Sequence, residues 1–149
     1  MRGLALAKIG KFNEALDDFS NSLQIDPNNA DAFFNRGITY FKLQKNEDAI
    51  SDYLEACRLD STYCANSYNN IGYAFFSKGD FSNAEINFKK CIEVDDNKFD
   101  AMIGLSMVNF NLREFEDAKM WMGKAMEKQP KLKEGEKGIN KIIKDDYSY

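Results

Sequence analysis

Apolar residues return along this chain at the spacing of one helix face, and the pattern itself then returns. From Phe12 onward, Ala15, Leu16, Phe19, Leu23 and Ile25 follow a near-helical period. Asp26-Pro27-Asn28-Asn29 breaks it, because proline cannot continue the hydrogen-bond ladder and Asn and Asp favour turns. The stretch from Ala30 to Tyr63 repeats the design, with one helix expected near Ala30 to Leu43 and a second near Glu47 to Leu59. Aligning Gly37 with Gly72, Ala49 with Ala84 and Ala118, and Tyr53 with Phe88 brings the copies into register. The period is about that of a 34-residue helix-turn-helix solenoid. Between the helices of each copy lie Gly10-Lys11, Gln44-Lys45, Gly79-Asp80 and Arg113-Glu114, connections short enough to force antiparallel neighbours. The expected fold class is all-α, a solenoid of antiparallel helix pairs.

The copies divide one domain, 1–149, into a short first unit over 1–29 and units over 30–64, 65–98 and 99–130. An extra residue falls somewhere in Ser61 to Cys64. Gly3 aligns with Gly37, so the first unit begins about one turn late, and the expectation is a fragment of a longer array. The segment 131–149 does not repeat. Leu132, Ile139, Ile142 and Ile143 make an apolar stripe with Lys133, Lys137, Lys141 and Lys144 facing elsewhere. That pattern predicts a capping helix over the last open face, weakened by Gly135 and Gly138 at roughly 1 kcal/mol each.

Composition narrows the function classes. Hydrophobic residues make 44% and charged residues 30% of the 149 positions, the balance of a soluble globular chain. A formal charge of -4 and a pI near 4.9 argue against a nucleic-acid partner. No apolar run approaches the roughly 18 residues of a membrane span, and the N-terminus lacks a signal-peptide core. Cys57, Cys64 and Cys91 are odd in number without close paired spacing, so reduced, partly buried thiols in a cytoplasmic protein are expected. With no histidine and no C-x-x-C pair, zinc is not expected. The missing histidine also removes the commonest general base. Asp95-Asp96-Asn97 lacks the glycine and distal glutamate of a calcium hand, and Asp17-Asp18 and Asp145-Asp146 read as solvated. No catalysis, cofactor or metal is expected.

Phe33-x2-Arg36-Gly37-x2-Tyr40, Ala49-x3-Tyr53 and Ser61 in one copy resemble the tetratricopeptide repeat, W-x2-L-G-x2-Y, A-x3-F, P. The next copy carries Tyr68-x2-Ile71-Gly72-x2-Phe75, Ala84-x3-Phe88 and Asp96. Met102-x2-Leu105-Ser106-x2-Asn109, Ala118-x3-Met122 and Pro130 form a looser last copy, and Gly3, Leu6, Ala15, Phe19 and Pro27 a truncated first. The resemblance implies a right-handed superhelix of about three and a half units. Gly37, Gly72 and Ser106 are expected to face Ala49, Ala84 and Ala118 where the helices of a unit cross most closely. Arg36 stands where the pattern prefers leucine, so its stem is expected to pack while its guanidinium reaches water. Asn109 replaces an aromatic and predicts looser packing near the C-terminal end.

In that family the first helix of each unit lines a concave groove that binds peptides or helices of partner proteins. Projected here, the groove residues are Phe34, Asn35, Ile38 and Phe41, then Asn66, Asn70, Tyr73 and Phe76, then Met107 and Phe110. Asn35 and Asn70 occupy equivalent positions, and a carboxamide, donor and acceptor at once, can grip a peptide unit whatever side chain it bears. The resemblance implies an asparagine ladder for extended backbone. Phe41, Phe76 and Phe110 either bed apolar side chains of a partner or contact the neighbouring helix. The family's clamp for the acidic tail of Hsp70 or Hsp90 needs lysine and arginine beside the asparagines. Asp100 and Gly104 stand in those places, and Phe34 and Ile38 in the first two, which argues against that partner. The leading reading is an adaptor for a protein or peptide. Its rivals are self-assembly into a homo-oligomer through array ends, where Leu4, Leu6 and Ile9 lack a preceding helix, and substrate recruitment within a longer multidomain protein.

Overall fold

A computed structural model of the chain describes residues 2–133. Helices α1 (Arg2–Lys8), α2 (Phe12–Ile25), α3 (Ala30–Lys42) and α4 (Asn46–Leu59) lead through a 3₁₀ turn, Ser61–Tyr63, to α5 (Cys64–Ser77). Then come α6 (Phe81–Val94), α7 (Phe99–Asn111), α8 (Phe115–Lys128) and a closing 3₁₀ turn, Pro130–Lys133. No strand occurs among the described residues. Each helix packs on the one before and the one after it, which makes an all-α solenoid of four helix pairs. The expected capping helix lies outside the described residues beyond its first turn.

Four turns of one kind close the pairs. Gly10, Gln44, Gly79 and Arg113 take φ of 80°, 59°, 76° and 64°. This left-handed residue lets the chain bend back on its own last turn, as Asp80 N donates to Phe75 O at 3.0 Å and Gly79 N to Phe76 O at 2.9 Å. The equivalent bonds recur at Lys11, Lys45 and Glu114. Helix starts are held as their sequences suggest: the Asn29 side chain accepts from Ala32 N at 2.9 Å and that of Asp80 from Asn83 N at 3.1 Å.

The core is a row of rings, Phe19, Tyr53 and Phe88, each at most 2% exposed. Gly3, Gly37 and Gly72 face them. A Cβ on Gly37 would lie 3.0 Å from the Tyr53 ring and 3.3 Å from the Ala49 carbonyl. At Gly72 the nearest atoms belong to Phe88, at 2.6 Å, so the glycines make room for the aromatic ring more than for the expected alanine. Ser106 meets its expected neighbour directly, donating to the Ala118 carbonyl at 2.8 Å.

Three expectations need correction. The Arg36 guanidinium does not reach water: it forms a two-pronged ion pair with Asp52, at 2.7 and 2.9 Å, and donates to Ser20 at 3.2 Å. Its side chain is 19% exposed and that of Asp52 7%, so the pair is buried between α2, α3 and α4. The hydrogen bond that Arg36 donates to Asp52 raises the Arg36 pKa, while burial pushes the Asp52 carboxyl up against the pull of the guanidinium. Packing around Asn109 is not loose. The residue is 3% exposed and its amide donates to Glu114 at 2.7 Å, a carboxylate supplied by the neighbouring turn. Nor are all cysteines free. Cys57 and Cys64 form a disulfide with Cα atoms 4.4 Å apart, because the 3₁₀ turn returns the first residue of α5 to the last turn of α4. Cys91 is the free cysteine, buried, its thiol pushed up to about 11 by that burial.

Two outcomes are expected in denaturant melts. Asp52→Ala strands a buried guanidinium and should cost about 3 kcal/mol, whereas Arg36→Leu with Asp52→Leu should restore most of the loss; equal loss in both would remove the buried-pair account. Gln44→Gly or Arg113→Gly should each stabilise by about 0.5–1 kcal/mol, since relief of left-handed strain exceeds glycine's entropy cost. A loss at both positions would contradict the φ assignment.

Candidate functional groove

Curvature decides which helices can form a groove. Helix α5 packs directly on α7, while α6 and α8 make no comparable contact, so the last two pairs bend toward their first helices. Helix α3 joins this inner side through Phe34, Ile38 and Phe41, which share a cluster with Ile71 and Phe75 of α5.

Phe34 sits on this wall with its ring 5.5 Å from Tyr53 and 5.1 Å from Tyr63. Ile38 and Phe41 are half-buried beside it against Ala49, Tyr53 and Ile71. Tyr73 stands edge-on to Phe88 at 4.9 Å and donates its hydroxyl to the Asp100 carbonyl at 2.9 Å, joining α5 to α7. Burial raises its phenol to about 12, so it remains a hydrogen-bond donor throughout the physiological range. Met107 is 37% exposed at the far end.

The asparagines are partly committed. Asn35 spends an amide hydrogen on the Asp31 carbonyl at 2.9 Å. Asn70 faces the hydroxyl of Tyr53, whose phenol is pushed up by burial and pulled the other way by this amide. Asn66 is exposed at the groove edge and accepts from Lys98 at 2.9 Å. Asn35 and Asn70 thus hold equivalent positions with different internal partners.

The recurring phenylalanines divide. Phe76 pairs with Phe81 at 5.4 Å and Phe110 with Phe115 at 5.5 Å, each ring on the first residue of the second helix in its own pair. At Phe41 that place belongs to Asn46, and the ring borders a cleft shared with Lys42, Gln44 and Ser77. Packing within the pair accounts for much of Phe76 and Phe110, and leaves Phe41 as the phenylalanine beside an open cleft.

Gly104 explains the missing basic residue. A Cβ there would lie 2.4 Å from the Phe88 ring, so a long side chain cannot stand at that position without displacing the core. Tyr63 and Lys98 were not foreseen. Tyr63 donates to Asp31 at 2.9 Å and lies over Phe34, placed there by the 3₁₀ turn at the one-residue insertion. The insertion was the available signal. Among the described residues no helix is long and apolar enough to cross a membrane, and no three His, Cys, Asp or Glu side chains are grouped to hold a metal.

Comparison with known proteins agrees with this architecture. A family profile described as TPR repeat matches residues 3–44 and 39–79, and one described as Tetratricopeptide repeat matches 65–98. RNA polymerase II-associated protein 3 of Xenopus tropicalis is 32% identical over 106 residues, 71% of this chain and 16% of the relative. Heat shock protein STI1 of Saccharomyces cerevisiae is 30% identical over 100 residues, 66% of this chain and 17% of the relative. The chain spans about a sixth of the length of these relatives. Among solved structures, MamA superposes with a TM-score of 0.80 at 23% identity, covering 89% of this chain and 77% of that one. The first TPR of Spaghetti (RPAP3), solved bound to the HSP90 peptide SRMEEVD, gives 0.69 at 29% identity over 75% of this chain and 88% of that one. Repeats, rings, turns and profiles coincide, and the chain belongs to the tetratricopeptide-repeat family.

Proposed function

We propose that this array is a non-catalytic adaptor that binds an extended peptide or short helix of a partner protein in the groove of α3, α5 and α7. The observation that carries the reading is the inner wall itself: half-buried Phe34, Ile38, Phe41 and Tyr73 alternate with the carboxamides of Asn35, Asn66 and Asn70. Apolar anchors beside amides suit a chain whose backbone needs hydrogen bonds and whose side chains need burial. A neighbour of the same architecture, 29% identical, binds a peptide. Phe76, Met107 and Phe110 extend the wall, the first and last as paired rings that a partner would meet at one face. The units over 1–29, 30–64, 65–98 and 99–130 then act as one binding body.

The neighbour's peptide is acidic at its end, and this groove is not built to grip carboxylates. Asp100 and Gly104 stand where the clamp would place its cations, and Phe88 closes the second of those positions. We read the groove as one for neutral or apolar peptides.

Two measurements test this. The peptide SRMEEVD should bind no more tightly than SRMQQVN, in which amides replace its three side-chain carboxylates, with no saturation by the acidic form below about 1 mM. A preference of tenfold or more for the acidic peptide would overturn the reading. For the strongest binder selected from a displayed library of linear peptides, Asn35→Ala and Asn70→Ala should each weaken binding by about 0.5–1.5 kcal/mol, roughly two- to twelvefold. A parallel thermal melt separates this from the loss of the Asn70 contact to Tyr53. Unchanged titrations would remove the asparagines from the site.

A further inference from the structure

We propose that Cys57 and Cys64 are a reversible thiol-oxidation site, whose co-reactant is a low-molecular-weight disulfide and whose state governs the groove wall at Tyr63. The inference stands apart from the identity of any groove partner.

The placement carries it. Cys57 lies in the last turn of α4 and Cys64 opens α5, so their bond crosses the joint between two repeats. Both are partly exposed, within reach of a small solute, whereas Cys91 is fully buried with its thiol raised to about 11. Cys91 also aligns with Ala56 and Ala125, both 0% exposed, which marks it as a small packing residue. Between the paired cysteines runs the 3₁₀ turn Ser61–Tyr63. Its last residue donates to Asp31 at 2.9 Å and sets its ring, tilted, 5.1 Å from that of Phe34. The bond thus closes a loop that touches Asp31 and the groove residue Phe34 through Tyr63.

Reduction need not scatter the sulfurs. The Cys64 sulfur lies 3.4 Å from the Cys57 carbonyl, a contact that becomes a hydrogen bond only when that sulfur carries a proton. The reduced pair has a local arrangement that keeps both thiols adjacent and ready to close again.

The chemistry is exchange. A thiolate of the pair attacks one sulfur of R–S–S–R, forms a mixed disulfide and expels RS⁻, which takes up a proton. The second cysteine, as thiolate, attacks the protein sulfur of that mixed disulfide and expels a second RS⁻. Two protein thiols and R–S–S–R become one protein disulfide and two R–SH, with two electrons passing from the cysteines to the small molecule. Excess R–SH runs the same steps backward.

The test uses the chain equilibrated in glutathione disulfide or in glutathione, then alkylated under denaturing conditions and mapped by mass spectrometry. In the oxidised sample Cys91 alone should take the reagent, and in the reduced sample all three cysteines should. Hydrogen exchange at Thr62, Tyr63 and Cys64 should be at least tenfold faster in the reduced chain. The oxidised chain should melt roughly 5 °C higher. Cys57→Ser should behave as the reduced chain in both buffers, and Cys91→Ala as the unaltered chain. Alkylation of Cys57 and Cys64 after oxidation would overturn the proposal, as would chains cross-linked to each other in place of the internal bond. So would identical exchange at Tyr63 in the two states despite bond formation.

Discussion

One ring in each of α2, α4 and α6 must find a place where no side chain stands. Phe88 is 0% exposed and fills the space above two glycines, Gly72 of its own pair and Gly104 of the next. A Cβ at either would approach the ring to 2.6 or 2.4 Å, well inside contact distance. The same ring therefore sets the approach of helices within a repeat and between repeats. Burial of such a side chain is worth roughly 1.5–3 kcal/mol, and the gain exists only while the facing positions stay small. Its reach extends to function, since the ring that builds the solenoid also prevents a long basic residue from standing at Gly104.

Positions that do this work were legible because they recur. Gly37, Gly72, Ala49, Ala84, Tyr53 and Phe88 declared themselves by alignment, and the helices followed within a residue or two of the expected ends. What alignment hides is a partner that changes from copy to copy. Arg36 finds Asp52, but the places matching this pair in the next repeat hold Ile71 and Asn87. The charge pair is visible only as two unusual residues 16 positions apart. The disulfide was hidden for a related reason: the insertion that brings Cys64 to Cys57 occurs once, so no other copy shows what it does. The close packing at Asn109 was hidden because its partner, Glu114, lies in the turn between α7 and α8 and not at an aligned core position.

The groove was legible as a list of positions and much less so as chemistry. Equivalence of Asn35 and Asn70 in the alignment says nothing of where their amide hydrogens go, and the structure sends one to the helix's own turn and turns the other toward a buried tyrosine. A similar division separates the phenylalanines. Phe76 and Phe110 rest on rings at the start of the following helix, while Asn46 leaves Phe41 without that partner. Open apolar faces and amide groups thus coincide on α3 and α5 more than they are spread evenly over the repeats.

Uneven joints follow from the same sequence. The first, between α2 and α3, is tied by Arg36 reaching Ser20. The second, between α4 and α5, carries the covalent bond and the Tyr53–Asn70 contact. The third, between α6 and α7, is closed by Phe88 against Gly104 and is reinforced by the Tyr73 bond to Asp100. In a quasi-one-dimensional array each interface contributes nearly on its own, so a change at one joint does not require the others to open. An ion pair responds to its desolvated partners, a disulfide to redox poise and a ring-on-glycine contact to volume. The candidate groove crosses the second and third of these joints, so its two sides rest on different chemistry: the Phe34 side on a covalent bond, the Tyr73 side on packing and one hydrogen bond.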